Sequence, residues 1–233
     1  MFKRGPKPKK IIETKWSANL AYAVGLLTAD GCLVDGRSLI DLTSKDLEQV
    51  KNYRKCLGIL GVKIGKKSNG GGIKAYRVQF KNVLFYAWLE SIGLTKNKSK
   101  TLGQLRIPEK FFFDFLRGLF DGDGSTYSYF DKRWRSSFVY YLNFTSASPK
   151  FLLWLQSEIT RHAGVSGHVT KSAKVEQLRF AKSDALKIIK KMYYSDTVVH
   201  LERKKKKIDK TIREDIRNKC ASGEIGKHAS MRY

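Results

Sequence analysis

The sequence predicts an α+β protein made of two copies of one αββαββα unit, and three observations lead there. These are an internal repeat, two hairpin signals in each copy, and an apolar helical stretch that opens each copy. Residues 23–31 (AVGLLTADG) match 116–124 (LRGLFDGDG), 93 positions on. Residues 41–46 (DLTSKD) match 143–148 (NFTSAS), 102 positions on, and 61–66 with 164–169 and 76–82 with 176–182 follow in the same order. Four matches in one order are a tandem duplication, with one longer hairpin in the second copy.

The elements follow in order. A helix is expected over 17–29, with Ser17 as N-cap, and again over 109–122. A hairpin comes next, 32–34 with 38–43 across an Asp-Gly turn, and 125–130 with 137–145 across a longer loop. Second helices begin at Asp46 and Ser148 and run to about 57 and 163. Second hairpins pair 62–67 with 75–81 and 166–172 with 175–180. The Asn-Gly-Gly-Gly run at 69–72 opens no helix, so it reads as a turn and not as a phosphate cradle. Third helices close the copies at 83–91 and 183–193. The organisation expected is a basic flexible arm (1–15), a first half (16–95), a polar Lys-rich linker (96–108), a second half (109–207) and a basic tail (208–233).

Hydrophobic residues make up 42% of the 233, enough for a core, which excludes a wholly disordered chain. Lys and Arg number 46 against 21 Asp and Glu, a net charge of +25. Such an excess repels itself in a compact fold and calls for an anionic partner, with phosphate-rich nucleic acid foremost. No apolar run approaches the ~20 residues that span a bilayer, and no segment sustains a basic amphipathic pattern, so no membrane is expected. The first ten residues, MFKRGPKPKK, lack a signal-peptide core. Cys32, Cys56 and Cys220 form no CxxC pair, which argues against a disulfide framework and a zinc site. An intracellular protein, in cytoplasm, nucleoid or organelle matrix and not secreted, is the expectation.

Glycine inside a helix costs about 0.5–1 kcal/mol against alanine, yet Gly25 and Gly118 interrupt the opening helices. Gly25 with Ala29, and Gly118 with Gly122, put small residues at i and i+4, a stripe that lets two backbones approach. The duplication makes each opening helix the natural partner of its copy about a pseudo-twofold axis. Asp30 and Asp123 then end those helices, where the macrodipole is already negative. Two carboxylates and the helix-end carbonyls would converge there, a costly arrangement unless a cation holds them. An oxygen-seeking divalent ion such as Mg²⁺ fits.

AVGLLTADG and LRGLFDGDG resemble the two defining motifs of the LAGLIDADG homing endonucleases, and the element order matches that family over roughly 16–207. The resemblance implies that family's pseudo-twofold fold, with β-sheets forming a DNA-binding saddle, and a two-motif monomer. It implies hydrolysis of both strands of double-stranded DNA, leaving 3′ overhangs. Two or three Mg²⁺ ions would be shared between Asp30 and Asp123, with the backbone carbonyls of Ala29 and Gly122. The motif's other acidic position is Thr28 in the first copy and Asp121 in the second; threonine cannot ligate as an anion, so this position is not counted as catalytic. The first copy departs from the motif at Ala23 and Val24.

The family often sets a basic or polar side chain from the last strand beside each acid. Strand alternation nominates Gln79 and Arg179 as catalytic, with Lys81 and Lys182 as competitors. A two-stranded ribbon fits the major groove and offers alternate side chains to base edges. The DNA-contacting candidates are therefore Arg37, Ser38, Asp41, Lys63, Lys66, Lys67, Lys74 and Arg77, and in the second half Tyr127, Tyr129, Lys132, Arg133, Arg135, Tyr141, Asn143, Lys171 and Lys174. Because the halves differ, the target should be long and asymmetric. The alternative is a protein of the same fold that binds without cutting, as an intron-RNA maturase or a DNA-binding regulator.

Overall fold

Helix α1 (Ala18–Asp30) starts where Ser17 accepts a hydrogen bond from the Leu20 N–H at 3.2 Å. The computed structural model describes residues 11–34, 36–68, 74–133, 137–171 and 175–221. In the first half α1 leads into β1 (Gly31–Val34), β2 (Leu39–Ser44), α2 (Leu47–Cys56), β3 (Ile64–Ser68), β4 (Lys74–Lys81) and α3 (Val83–Ser91). A four-residue helix, α4 (Lys98–Thr101), lies in the connector. After a 3-10 turn the second half repeats the order: α5 (Phe112–Asp123), β5 (Ser125–Phe130), β6 (Phe138–Ser146), α6 (Pro149–Ala163), β7 (His168–Lys171), β8 (Glu176–Ala181) and α7 (Lys182–Met192). A long helix, α8 (Glu202–Ala221), follows.

Each half folds one antiparallel four-stranded sheet, ordered β1-β2-β4-β3 and β5-β6-β8-β7. The registers coincide across the repeat. Asp41 lies opposite Gln79 on β4, and Asn143, 102 positions on, lies opposite Arg179 on β8. Period-two alternation sends Ile40, Leu42 and Val78 into the core of the first half, and Leu142, Phe144, Leu178 and Phe180 into that of the second.

The two motif helices pack on each other, and their glycines set the distance. A Cβ built on Gly25 would lie 2.2 Å from the Phe115 carbonyl oxygen and 2.6 Å from the Leu119 nitrogen. One on Gly118 would lie 2.1 Å from the Tyr22 oxygen and 3.1 Å from the Leu26 nitrogen. Tyr22 and Phe115 are repeat equivalents, as are Leu26 and Leu119, so the contact is reciprocal. That reciprocity is the pseudo-twofold axis, with backbone against backbone at its centre. A Cβ on Gly122 would likewise lie 2.2 Å from the Ala29 Cβ.

Three expectations change. The arm was expected to reach residue 15, but Ile12 is buried in the core. The tail expected from 208 begins inside α8, whose Ile208 and Thr211 are buried together with Leu201 just before it, so it is an integral helix. Asp46 and Ser148 do occupy N-cap positions, but their side chains do not cap. Asp46 instead pairs with Arg203, whose Nε and terminal nitrogen donate at 2.6–3.0 Å, and the Ser148 hydroxyl donates to the Leu102 carbonyl at 2.5 Å. Both side chains are drawn away by longer-range partners.

Candidate active site and nucleic-acid interface

Both motif helices end in Asp-Gly for a steric reason. After each aspartate the chain turns directly into a strand across the last helical turn, and the glycine N–H donates to the carbonyl four residues back, at 2.9 Å for Gly124 to Phe120. A Cβ on Gly31 would lie 2.5–2.7 Å from Leu27 atoms, and one on Gly124 2.3–2.7 Å from Phe120 atoms. Only glycine fits, and the aspartate before it is carried to the seam between the halves. A Cβ on Gly122 would lie 3.3 Å from Asp30 Oδ2, so the first acid reaches across to the second helix.

Each helix end also receives a lysine. Lys98 Nζ, from α4, donates to the carbonyls of Thr28 at 2.7 Å and Ala29 at 3.2 Å. Lys204 Nζ, from α8, donates to the carbonyls of Phe120, Gly122 and Gly124 at 2.6–2.8 Å. An ammonium at a helix C-terminus satisfies the last carbonyls and opposes the negative end of the dipole. These lysines follow the third helix of their own half, so they too repeat. Two carboxylates and two ammoniums leave the site near formal neutrality.

The electrostatics are those of a partly buried charge cluster. Burial raises the Asp30 carboxyl above its usual range, while the hydrogen bond from Gln49 and the charges of Lys204 and Lys98 pull it back. Asp123 is open to solvent on one side, yet partial burial raises its carboxyl and the nearby Asp30 charge raises it further, while Lys98 and Lys204 pull it back. Burial lowers the Lys98 ammonium and brings Lys204 down to about 8, against the pull of Asp121, Asp30 and Asp123. Two anions that repel, beside helix-end carbonyls that already accept from cations, form an all-oxygen donor set suited to a hard divalent ion. That chemistry fits the metal expected at Asp30, Asp123 and the carbonyls of Ala29 and Gly122. Among the described residues no three or more His, Cys, Asp or Glu side chains gather into a metal-holding group, at this site or elsewhere.

Asp121, the motif's other acid, serves the scaffold. It is fully buried and accepts from the Tyr22 hydroxyl and from the Leu201 N–H, both at 2.7 Å. Burial pushes its carboxyl up to about 6. By holding Leu201 it fixes the start of α8 and thereby Lys204. Buried Arg117 supports the same passage, donating to the carbonyls of Met192 at 2.6 Å and Val199 at 2.8 Å while paired with Asp114 at 2.7 Å. Thr28 has no such task, and its hydroxyl donates to the Val24 carbonyl at 2.8 Å.

The nominated strand residues do not bond to the acids. Gln79 donates to Asp41 at 3.1 Å. Arg179 donates to Asn143 at 3.1 Å and to Gln177 at 2.8 Å, and lies over the Tyr141 ring with its guanidinium carbon 5.0 Å from the centroid. Of the competitors, Lys81 is exposed at the end of β4 and Lys182 pairs with Asp215 of α8. The basic groups at the acids come instead from the segment read as linker (Lys98) and from the very end of the second half (Lys204). The signal that could have found them is positional: each third helix is followed by a Lys-rich run, TKNKSKT and RKKKK.

Two DNA-contacting candidates are corrected in the same way. Asp41 and Asn143 are buried, at 8% and 3% exposure, and they anchor the arginines and Gln79 of the neighbouring strand. Arg77 Nε donates to Asp41 at 2.5 Å, and Thr43 adds a third donor to that carboxylate at 2.9 Å. The other candidates are spread over both sheets. Lys63, Lys66 and Lys67 are exposed along β3 and its approach, Arg37 is exposed, and Ser38 sits half-buried in the first hairpin turn. Lys74 opens β4. Tyr127 and Tyr129 are exposed on β5 with ring centroids 5.4 Å apart. Lys132, Arg133 and Lys171 are exposed, and Arg133 is bound to Asp131. Arg135 and Lys174 lie outside the described residues, as does the turn at 69–72.

No protein-family model matches this chain, and no curated protein does. Solved structures do. The meganuclease I-SmaMI, bound to uncleavable DNA, superposes with a TM-score of 0.61 at 12% identity, over 93% of this chain and 95% of that one. The homing endonuclease I-WcaI, bound to its DNA recognition sequence, gives 0.56 at 13% identity, over 81% and 89%. Full-length DUF199/WhiA from Thermatoga maritima gives 0.54 at 13% identity; 85% of this chain is covered, but this chain spans only 61% of that protein. At such identities the likeness is one of fold.

Proposed function

We propose that this chain, which has the fold of the LAGLIDADG homing endonucleases, is a site-specific endonuclease of the homing type that cuts both strands of a long asymmetric DNA target. One observation carries the reading: the two acids end paired helices at a seam where an ammonium stands beside each. Asp30 and Asp123, with the Ala29 and Gly122 carbonyls, would hold divalent ions, Mg²⁺ by the oxygen character of the donors. Such an ion would supply Lewis-acid polarisation of the phosphoryl oxygen, a lowered water pKa and charge stabilisation of the leaving oxygen. Lys98 and Lys204 add fixed positive charge next to the scissile phosphates, where negative charge grows in the transition state. No side-chain nucleophile is needed. Arg77, Gln79 and Arg179 are held by Asp41 and Asn143 in fixed directions for base or phosphate contacts, and the net charge of +25 supplies salt-sensitive affinity for the backbone.

A second reading, a protein that binds DNA or intron RNA without cutting, is favoured by one observation. The lysines already satisfy the carbonyls a metal would use. Incubation with a randomised duplex library in Mg²⁺, followed by sequencing of ends and of bound fragments, separates the two. The nuclease reading expects discrete double-strand cuts with 3′ overhangs. Asp30→Asn and Asp123→Asn each abolish them with affinity nearly unchanged. Enrichment of bound fragments without cuts refutes it.

A further inference from the structure

The duplication makes the surroundings of the two acids comparable residue by residue, and one difference touches a carboxylate directly. Gln49, three residues past the Asp46 cap and 1% exposed, donates from Nε2 to Asp30 Oδ2 at 2.5 Å. Its Oε1 accepts from the Ser44 hydroxyl at 3.1 Å, and Ser44 Oγ in turn accepts from the Asp46 N–H at 3.1 Å. The Asp46 N–H thus fixes which way the hydroxyl points, and the hydroxyl fixes which end of the Gln49 amide faces the acid. A line of hydrogen bonds runs from the start of α2 to the Asp30 carboxylate.

In the second half the line begins identically, with the Ser148 N–H donating to Ser146 Oγ at 3.1 Å. It stops there, because Phe151 occupies the position of Gln49 and packs on Trp154, ring centroids 5.5 Å apart. Among the described residues Asp123 accepts no hydrogen bond. Beside it opens a cleft of about 220 Å³ lined by Thr145, Ser146 and Phe151. One acid is therefore clamped by a buried neutral donor, and the other, held by no hydrogen bond among the described residues, lies at the edge of a cleft. A charge-assisted bond from a fixed donor restricts the carboxylate to one orientation before any substrate arrives, and such preorganisation favours the faster site.

We infer that Gln49 is a positioning residue for Asp30 and that the two strands are cut in order, the strand served by Asp30 first. The inference rests on the endonuclease reading. The test uses a duplex bearing a target selected from the library, with a different fluorophore on each strand, under single-turnover conditions in Mg²⁺. Wild-type protein should pass through a nicked intermediate with one strand cut. Gln49→Met should slow that faster strand at least about tenfold, the scale of losing a hydrogen bond to a charged group. It should leave the slower strand within about twofold. Equal strand rates in the wild type, or equal slowing of both strands by Gln49→Met, overturn the inference while leaving an endonuclease in place. A protein that binds the library and cuts neither strand overturns the endonuclease reading, and the strand order with it. An independent readout needs no cleavage: the side-chain amide NMR signals of Gln49 should move in Asp30→Asn and stay in Asp123→Asn. Signals that stay in Asp30→Asn remove the clamp.

Discussion

Replacing Gly118 by alanine adds one methyl group, and the structure says the sign of its effect is opposite to that of an ordinary helical glycine. In a free helix the change stabilises by about 0.5–1 kcal/mol, through lower chain entropy in the unfolded state and better propensity. Here the new carbon would stand 2.1 Å from the Tyr22 carbonyl oxygen and 2.9 Å from its carbon. Non-bonded atoms of this kind settle near 3.5 Å, so α1 and α5 must part by roughly 1 Å. Both obstacles are backbone, and no rotamer change relieves them. Overpacking of a tight core costs about 1–3 kcal/mol, and with no flexible neighbour the upper end applies, for a net loss of about 2 kcal/mol. For a chain of this size each kcal/mol lowers the melting temperature by about 2–4 °C, so a fall of about 4–8 °C is expected by calorimetry. Gly61→Ala is the control, since a Cβ there meets nothing within 4 Å; its effect should stay within about 0.5 kcal/mol. Cleavage by Gly118→Ala should fall together with stability, because the parted helices carry the acids. An unchanged or raised melting temperature for Gly118→Ala would refute the backbone contact and the pseudo-twofold seam with it.

Other outcomes follow from the same geometry. Lys98→Met and Lys204→Met should each slow cleavage by about 10²-fold, the scale of removing one fixed charge-stabilising donor, with DNA affinity measured in parallel and changed little. Sedimentation should give a monomer near the 26.6 kDa formula mass, because each motif helix already has its partner within the chain; a stable dimer in free solution would contradict this. Arg203→Met should lower stability at pH 7 by at most about 1 kcal/mol, since the ion pair with Asp46 is largely exposed. The Arg203 hydrogen bond holds the Asp46 carboxyl below its usual range. Its contribution is therefore present above the unfolded value of about 3.9 and is lost as pH falls through the folded one, so the variant and the wild type should converge below about pH 4 in denaturant titrations.

The duplication, the helix order and the hairpins were legible in the sequence because they rest on local signals. Ser17 caps α1, Asp-Gly ends each motif helix, and strand alternation sorts Val78 from Gln79. The acids were legible because they recur. The lysines were not: in a chain with 46 basic residues, Lys98 and Lys204 look like any others until α4 and α8 bring them to the helix ends. Gln49 was hidden for a related reason. A glutamine in the first turn of a short polar helix reads as a surface residue, and its burial depends on α1 lying across α2. Asp41 and Asn143 were misread because a polar residue on an outward strand position looks free. The arginine or glutamine that occupies each of them comes from a strand more than thirty residues later.

The path of α8 ties the charge cluster to both halves at once. Lys204 lies on it, Arg203 reaches back to Asp46, the Glu202 N–H is held by Glu48, and Lys207 donates to the Thr126 carbonyl at 2.7 Å. The helix is thus a strap across the pseudo-twofold seam, pinned to the start of α2 on one side and to β5 on the other. The ammonium that meets the Gly122 carbonyl is carried by this strap and not by either repeat's αββαββα unit. The geometry at the second helix end therefore depends on contacts made in the first half.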